Sequence, residues 1–402
     1  MDSLCIKCKG KGLCGKPCKI ISRFKEKAPK VKTHFSGVSP PEIFVGRNNY
    51  PNVFSGILAP ATSVTQEDSI NLESPEKWYK QGLNIEQILD LRSQLVYGRS
   101  ITNIKLNNKI KQTTQLLAMA SKPTSTEFFL KKKPTFNFTS SKVFSIMTNP
   151  APLQKVNLEE NPKIDKKVDY LVSDYDVKST TALKELYKSK TSVTTLQKIL
   201  SAGLLGVKSN RRMVPTRWSI TAVDDTLSKN MLQKIRHYPE INQIQLFHNK
   251  YNGNYYEILL LPDSWSFEVI EAWMSGNVYS SGQVQFSQDY EGFFPRKTYA
   301  SSVTGAYYAN RLAVCEYLDK IKRQASILVL RTITEEYYAP LGVGILREAS
   351  RHAFNKKPDR PSSINEAFQL MNRRAKFNVD IFKQKSNIIK EYGKQKKLNQ
   401  FF

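Results

Sequence analysis

The order of apolar and polar positions along the chain predicts an alternation of helices and strands. Ser74-Pro75 has the character of a helix cap and first turn, and Asn84 with Gln87 is spaced as a capping box, predicting a helix through Val96 that Gly98 stops. Residues 101–121 look helical, and further helices are expected over Thr181–Lys188 and Val193–Ser201, the second closed by Gly203. From Arg217 to Val223 the chain alternates as a strand. Gln243–His248 and Tyr255–Leu261 flank an Asn252-Gly253-Asn254 turn, which predicts a hairpin in an antiparallel sheet. A helix from about Thr304 to Lys322, a strand over Ser326–Ile333 and a helix after Leu341 follow, and Ser363 with Glu366 opens another helix toward Lys376. Residues 19–62, rich in Lys, Pro, Gly and Asn, read as extended backbone and turns with little regular structure. Residues 122–164 read as an irregular or edge-strand region. From about Ser386 the lysine-rich chain is expected to fray into a solvated tail. The fold class is therefore α+β, a mixed helical and antiparallel-sheet body, and no internal repeat is present.

A length of 402 residues suggests two or three units, and 40% hydrophobic with 11% aromatic residues describes a folded chain. The balance of 61 Lys+Arg against 35 Asp+Glu gives a net charge of +26, which attracts a polyanion at long range. Nucleic acid is the first candidate partner; a merely basic proteome is the bland alternative. No apolar run approaches the ~18 residues of a membrane span and the start lacks the apolar stretch of a signal peptide, so a cytoplasmic protein with no membrane partner is expected. In a reducing cytosol, four cysteines within the first eighteen residues point to metal rather than disulfides. Cys315 stands apart as a buried small hydrophobe.

Cys5, Cys8, Cys14 and Cys18 form Cys-x2-Cys-x5-Cys-x3-Cys, four soft ligands close enough to reach one tetrahedral Zn²⁺. Four thiolates leave no open coordination site, so such a zinc is structural. A cysteine-bearing unstructured start and an iron–sulfur cluster stay open as alternatives.

At the other end, Gln395-Lys396-Lys397-Leu398-Asn399-Gln400-Phe401-Phe402 sets an aliphatic residue three and four positions before two adjacent aromatics. One helical or 3₁₀ turn puts Leu398, Phe401 and Phe402 on one side as an apolar plug. In a solvated tail such a plug implies a partner's pocket. The pattern resembles the peptide that docks on the PCNA sliding clamp, Gln-x-x-aliphatic-x-x-aromatic-aromatic, at every specified position. That resemblance gives Gln395 a small polar pocket and the three apolar side chains the hydrophobic one. Packing of the tail back on its own body is the alternative.

Four interior stretches join these ends: Lys11-Gly12-Leu13-Cys14-Gly15-Lys16-Pro17-Cys18, Phe44-Val45-Gly46-Arg47, Val214 through Asp224, and Leu341-Gly342-Val343-Gly344-Ile345-Leu346-Arg347-Glu348. Together they make the chain resemble the archaeal Nre family of DNA repair proteins, in the NreA type with an N-terminal zinc-finger-like motif and a C-terminal clamp-binding peptide. The resemblance implies repair of damaged DNA coupled to PCNA, with association to the nucleoid through the clamp and the molecular activity left open. It implies a zinc-binding motif over 1–25, an Nre N-terminal-type α+β domain over 26–295, an Nre C-terminal-type domain over 296–385, and a flexible tail with the clamp peptide over 386–402.

For chemistry in the body, Asp224-Asp225 at the end of the expected strand pairs two carboxylates suited to Mg²⁺, but Asp225 also sits where a helix starting near Leu227 needs an N-cap. Glu335-Glu336 reads as a solvated turn. His34, His237, His248 and His352 share no ligand spacing. Arg211-Arg212 followed by Arg217-Trp218, with Arg47, suggests a phosphate- or nucleic-acid-binding surface, since guanidiniums clamp phosphates and indole stacks on bases. Surface arginines with Trp218 in the core is the competing picture. The leading function is a repair factor that binds DNA and is recruited by the clamp. The alternative is a nucleic-acid- or nucleotide-processing enzyme, which requires Asp224, Arg217 and Arg47 to converge on one pocket. A zinc-bearing RNA- or ribosome-associated factor leaves the last eight residues unexplained.

Overall fold

A computed structural model of the chain describes residues 31–135, 147–275, 283–375 and 377–394, together with residues 18, 21–22, 26, 138–139, 143, 277 and 280. It is α+β and divides into two compact units. One, here the N-terminal unit, holds the described residues up to Leu227 and Ala339–Ile345; the C-terminal unit holds Ser228–Tyr338 and the described residues from Leu346 onward. Among the described residues, no helix is long and apolar enough to cross a membrane.

The main sheet of the N-terminal unit is built from β1 (His34–Ser39), β2 (Ile43–Val45), β3 (Asn52–Pro60), β4 (Leu95–Asn103), β5 (Thr124–Leu130) and β8 (Pro150–Leu158). A separate ribbon pairs β6 (Phe138–Thr139) with β7 (Met147–Thr148). The sheet order is β1-β5-β8-β4-β3-β2, with β4 and β8 parallel and the other neighbours antiparallel. β5 alternates, turning Thr124, Thr126, Phe128 and Leu130 inward. Phe128 and Leu130 meet Ile57, Val96, Leu117 and Leu153 in one apolar cluster.

The helices of this unit are α1 (Gln66–Asn71), α2 (Pro75–Lys80), α3 (Ile85–Ser93), α4 (Lys109–Met119), α5 (Lys166–Ser173), α6 (Ser179–Lys188) and α7 (Val193–Ser201). The capping box of α3 forms as the spacing predicts: the Asn84 N–H donates to Gln87 Oε1 and the Gln87 N–H to Asn84 Oδ1, each at 2.9 Å. Such a cap is worth about 1 kcal/mol. The sheet corrects three expectations. Residues 19–62 hold three strands, because Pro60 closes β3 and Gly56 permits a close approach instead of breaking the strand. A Cβ on Gly56 would lie 1.9 Å from the Gly98 carbonyl oxygen of the paired β4. The helix opened by Asn84 ends at Ser93, since Leu95-Val96-Tyr97 is buried within β4. Residues 101–121 are helical only over α4, whose N-cap Asn108 accepts the Lys111 N–H at 2.8 Å.

The Arg217–Val223 stretch, expected as a strand, begins the 20-residue helix α8 (Thr216–Ile235). Ile220, Val223, Leu227, Met231 and Ile235 are buried at spacings of three and four. That stripe outweighs the short run of alternation. Asp225 consequently lies inside the helix, not at an N-cap.

The C-terminal unit is built on β9 (Gln245–Tyr251), β10 (Asn254–Leu261), β11 (Ser266–Trp273), β12 (Gln285–Glu291) and β13 (Ser326–Ile333), in the order β12-β11-β13-β10-β9 with β11 and β13 parallel. The predicted hairpin is present: Asn252 and Gly253 both have positive φ, 46° and 72°, the combination a tight two-residue turn needs. β13 is buried along its whole length, as a central strand covered on both faces must be. Its helices are α9 (Gly305–Ile321), α10 (Val343–Ala353), α11 (Ile364–Arg374), α12 (Ile381–Lys385) and α13 (Asn387–Glu391); α8 and α10 carry residues of both units. Cys315 on α9 is fully buried, and burial pushes its thiol pKa up.

The chain does not fray at Ser386. Glu268 accepts from the Ser386 hydroxyl at 2.6 Å and from the Asn387 and Ile388 N–H groups at 3.0 and 3.2 Å, which fixes α13 to the sheet. Cys5, Cys8 and Cys14, and the clamp-type peptide at 395–402, lie outside the described residues. Cys18 is half-buried.

Candidate nucleic-acid interface and an adjoining acidic cavity

The hairpin from β2 to β3 carries Arg47 and Tyr50 in its turn, and α8 presents Arg217 and Trp218 in its first turn. The two meet because the Thr216 hydroxyl accepts the Val45 N–H at 2.9 Å, binding the helix start to the edge strand. Tyr50 and Trp218 then face each other with ring centroids 5.3 Å apart, and both stay on the surface, 42% and 44% exposed. Trp218 is therefore a surface residue, against the core alternative. Arg47 and Arg217 lie inside the segments that these two contacts bracket. On β4 of the same unit, the Arg99 guanidinium sits 4.3 Å from the Phe54 ring centroid of β3.

Arg211 is used differently. Its guanidinium donates to the carbonyls of Gly206, Val172 and Asp174 at 2.7, 2.7 and 2.6 Å and lies over the Tyr175 ring, so it staples a loop. Burial lowers its pKa. Arg212 is exposed.

Beside the hairpin, Phe44, Thr216, Ile220, Gly342, Val343 and Gly344 line one cavity with Glu42, Glu73, Arg92 and Lys198. Three of the interior stretches that carried the family resemblance thus converge on one place. Lys198 Nζ lies 2.9 Å from Glu73 and 3.4 Å from Glu42, with all three side chains 11–12% exposed. Burial, aided by the Glu73 charge, holds the Glu42 carboxyl well above the usual carboxylate range, while Lys198 and Arg92 pull the other way. Burial alone would lower the Lys198 pKa, but Glu73 and Glu42 outweigh it and hold the ammonium form. Two carboxyls thus lie among Lys198 and Arg92, and burial favours the protonated form of Glu42.

The cavity measures about 60 Å³. A small-molecule site usually runs to roughly 300–1,000 Å³, while a water occupies about 10–15 Å³ by this kind of measure, so the space suits a few waters and no nucleotide. Asp224 is fully buried and accepts from Gln197 Nε2 at 3.2 Å. Asp224, Arg217 and Arg47 do not line this cavity together. Among the described residues, no group of three or more His, Cys, Asp or Glu side chains is placed to hold a metal ion.

A family model described as Archaeal Nre, N-terminal matches residues 13–280, and one described as Archaeal Nre, C-terminal matches residues 291–401. The chain belongs to the archaeal Nre family. It is 33% identical over 399 residues to the DNA repair protein NreB of Archaeoglobus fulgidus, covering 99% of each chain. It is 36% identical to the DNA repair protein NreA of Haloferax volcanii over 329 residues, 80% of this chain and 78% of that one. To the DNA repair protein NreA of Archaeoglobus fulgidus it is 36% identical over 378 residues, 92% and 93% of the two. It is similar to both types. No solved structure matches it.

Sequence reasoning singled out Arg47, Arg217 and Trp218 and did not single out Tyr50, Arg99 or the Glu42–Glu73–Lys198 cluster that lie near them in the same unit. Tyr50 stands three residues after Arg47 and was visible; the charge cluster joins residues more than a hundred positions apart and had no local signal.

Proposed function

We propose that this Nre family member is a DNA repair factor of the NreA type, brought to DNA by the PCNA sliding clamp through Gln395, Leu398, Phe401 and Phe402 and holding nucleic acid on its basic body. The observation that carries the nucleic-acid half is the exposed Tyr50–Trp218 pair, in the same turn and helix start as Arg47 and Arg217, on a chain of net charge +26. Base faces stack on such rings in a sequence-tolerant way and guanidiniums take the phosphates. The clamp half rests on the octapeptide alone, and the repair role is supported by relatives named DNA repair proteins. Cys5, Cys8, Cys14 and Cys18 form a donor set suited to one structural Zn²⁺. The protein acts in the cytoplasm, on the nucleoid where the clamp is loaded. A binding and recruitment role is favoured over the enzyme alternative, because Asp224 is buried and neither it, Arg217 nor Arg47 lines the cavity beside the hairpin.

Isothermal calorimetry against purified clamp is the test. The double variant Phe401→Ala, Phe402→Ala should lose clamp binding with unchanged thermal unfolding, and retained binding sinks the docking assignment. On the same preparation, metal analysis should return one zinc per chain, and a metal-free native protein refutes the finger.

A further inference from the structure

β12 ends at Glu291 and α9 begins at Gly305, leaving residues 292–304 between them. A connection longer than about 12 residues without secondary structure is uncommon in a compact domain and is usually functional. This one is not slack. The Arg296 N–H donates to Glu291 Oε2 at 3.0 Å, and its guanidinium donates to the carbonyls of Tyr290 and Tyr299 at 3.0 and 3.2 Å and pairs with Asp289 at 3.1 Å. At the far end Asp289 accepts the Ser302 and Val303 N–H groups at 3.0 and 2.7 Å. Glu291 is held in turn by Arg311 at 2.8 Å, both side chains at most 1% exposed. These buried charges serve no site described above; what they do is fix both ends of the loop.

The loop so fixed presents Phe293 and Phe294, 41% and 75% exposed, with perpendicular rings 5.3 Å apart. Arg236 lies against both, its guanidinium 5.5 and 5.6 Å from the two centroids. It is held there by bonds to the carbonyls of Leu232 and Phe293 at 3.1 and 3.4 Å. A guanidinium carries five N–H donors, so these two bonds leave others for an acceptor. The next side chain along the loop beyond Arg296, Lys297, is exposed. Two exposed phenylalanines on a slack loop would be unremarkable; on a loop fixed by buried ion pairs they are held ready for a ligand.

We propose that Phe294 is a wedge that enters DNA between bases whose stacking is already weakened, at a mismatch, bulge or strand junction, with Phe293 behind it and Arg236 on the neighbouring phosphate. The cation decides the partner class, because the site offers an apolar ring and a positive charge within one residue's reach, and DNA presents a base face beside a phosphate at every step. Perpendicular rings cannot both lie parallel to one base, so the more exposed ring inserts and the other supports it. Inserted apolar side chains must unstack a base step, a cost that is smallest where stacking is already broken. The proposal rests on the reading of the protein as a DNA-binding repair factor.

The test is fluorescence anisotropy of the full chain with labelled duplexes, one fully matched and one with a central mismatch or bulge. The wild type should prefer the interrupted duplex, and Phe294→Ala should lose about tenfold on it while changing less than about twofold on the matched one; Phe294→Trp should keep the preference. Thermal unfolding of Phe294→Ala should not move, as the side chain is exposed. A Phe294→Ala protein that keeps the preference overturns the wedge and leaves the pair to a protein partner. Equal wild-type affinity for the two duplexes overturns the wedge but spares the DNA-binding reading, whereas no binding to either removes both.

Discussion

Each unit exposes an aromatic pair near buried charges, but the two arrangements are balanced differently. Beneath Phe293 and Phe294, each acid has its own guanidinium, Arg311 for Glu291 and Arg296 for Asp289. Beside Tyr50 and Trp218, Glu42 and Glu73 share Lys198, and Glu42 is left with a raised pKa. There burial and the Glu73 charge favour the protonated Glu42 carboxyl even though both Lys198 and the buried Arg92 pull the other way.

The largest expected effect breaks the matched pair. Arg311→Met leaves Glu291 buried without its cation, and removing one partner of such a pair typically costs about 3–5 kcal/mol. In the shared cluster Lys198→Met should cost less, because a carboxyl there can take up a proton instead of standing as an unpaired charge. Urea unfolding of the two variants measures this, with Arg311→Met, Glu291→Gln expected to regain part of the loss. Equal losses for Arg311→Met and Lys198→Met would show that the difference in balance has no energetic meaning.

A smaller effect falls on binding. Trp218→Ala removes one exposed ring of the hairpin site, and a base–aromatic stack is worth about 1–3 kcal/mol, so DNA affinity should fall at least about fivefold with unfolding unchanged. The loss should be similar for matched and interrupted duplexes, since stacking on an exposed platform does not require a weakened step. That outcome separates the platform from the wedge; a Trp218→Ala loss confined to interrupted DNA would merge the two.

The sequence was most legible where a local rule decides the structure. The Asn84–Gln87 box, the Asn252-Gly253 turn and the strand over Ser326–Ile333 are all present where spacing put them. It was least legible where a partner distant in sequence decides. β3 tolerates Gly56 because β4 approaches it, and Ser386 is ordered because Glu268 accepts its hydroxyl and the N–H groups that follow. At α8 two periods competed over the same residues, and the helical stripe from Ile220 to Ile235 only wins when the window extends past Val223. The arginines followed the same division. Trp218 stays on the surface with the half-buried Arg217 beside it, whereas Arg211, one residue from Arg212, turns to three carbonyls that only the fold brings to it.

The smallest predicted effect isolates the shared cluster by pH. Glu42 has its pKa raised by burial and then by Glu73, so the folded chain binds a proton that the unfolded chain releases sooner. Its contribution is fully present below the ordinary carboxylate range and is lost as pH rises through the folded value, at up to about 1.4 kcal/mol per pH unit in between. Glu42→Gln keeps the shape and the neutral form and has nothing to titrate. Wild type and variant should therefore be close in stability near pH ~4 and diverge toward pH ~8, the wild type falling behind. Urea midpoints across that range read the difference, and parallel curves would mean that Glu42 ionises as easily inside the fold as outside it.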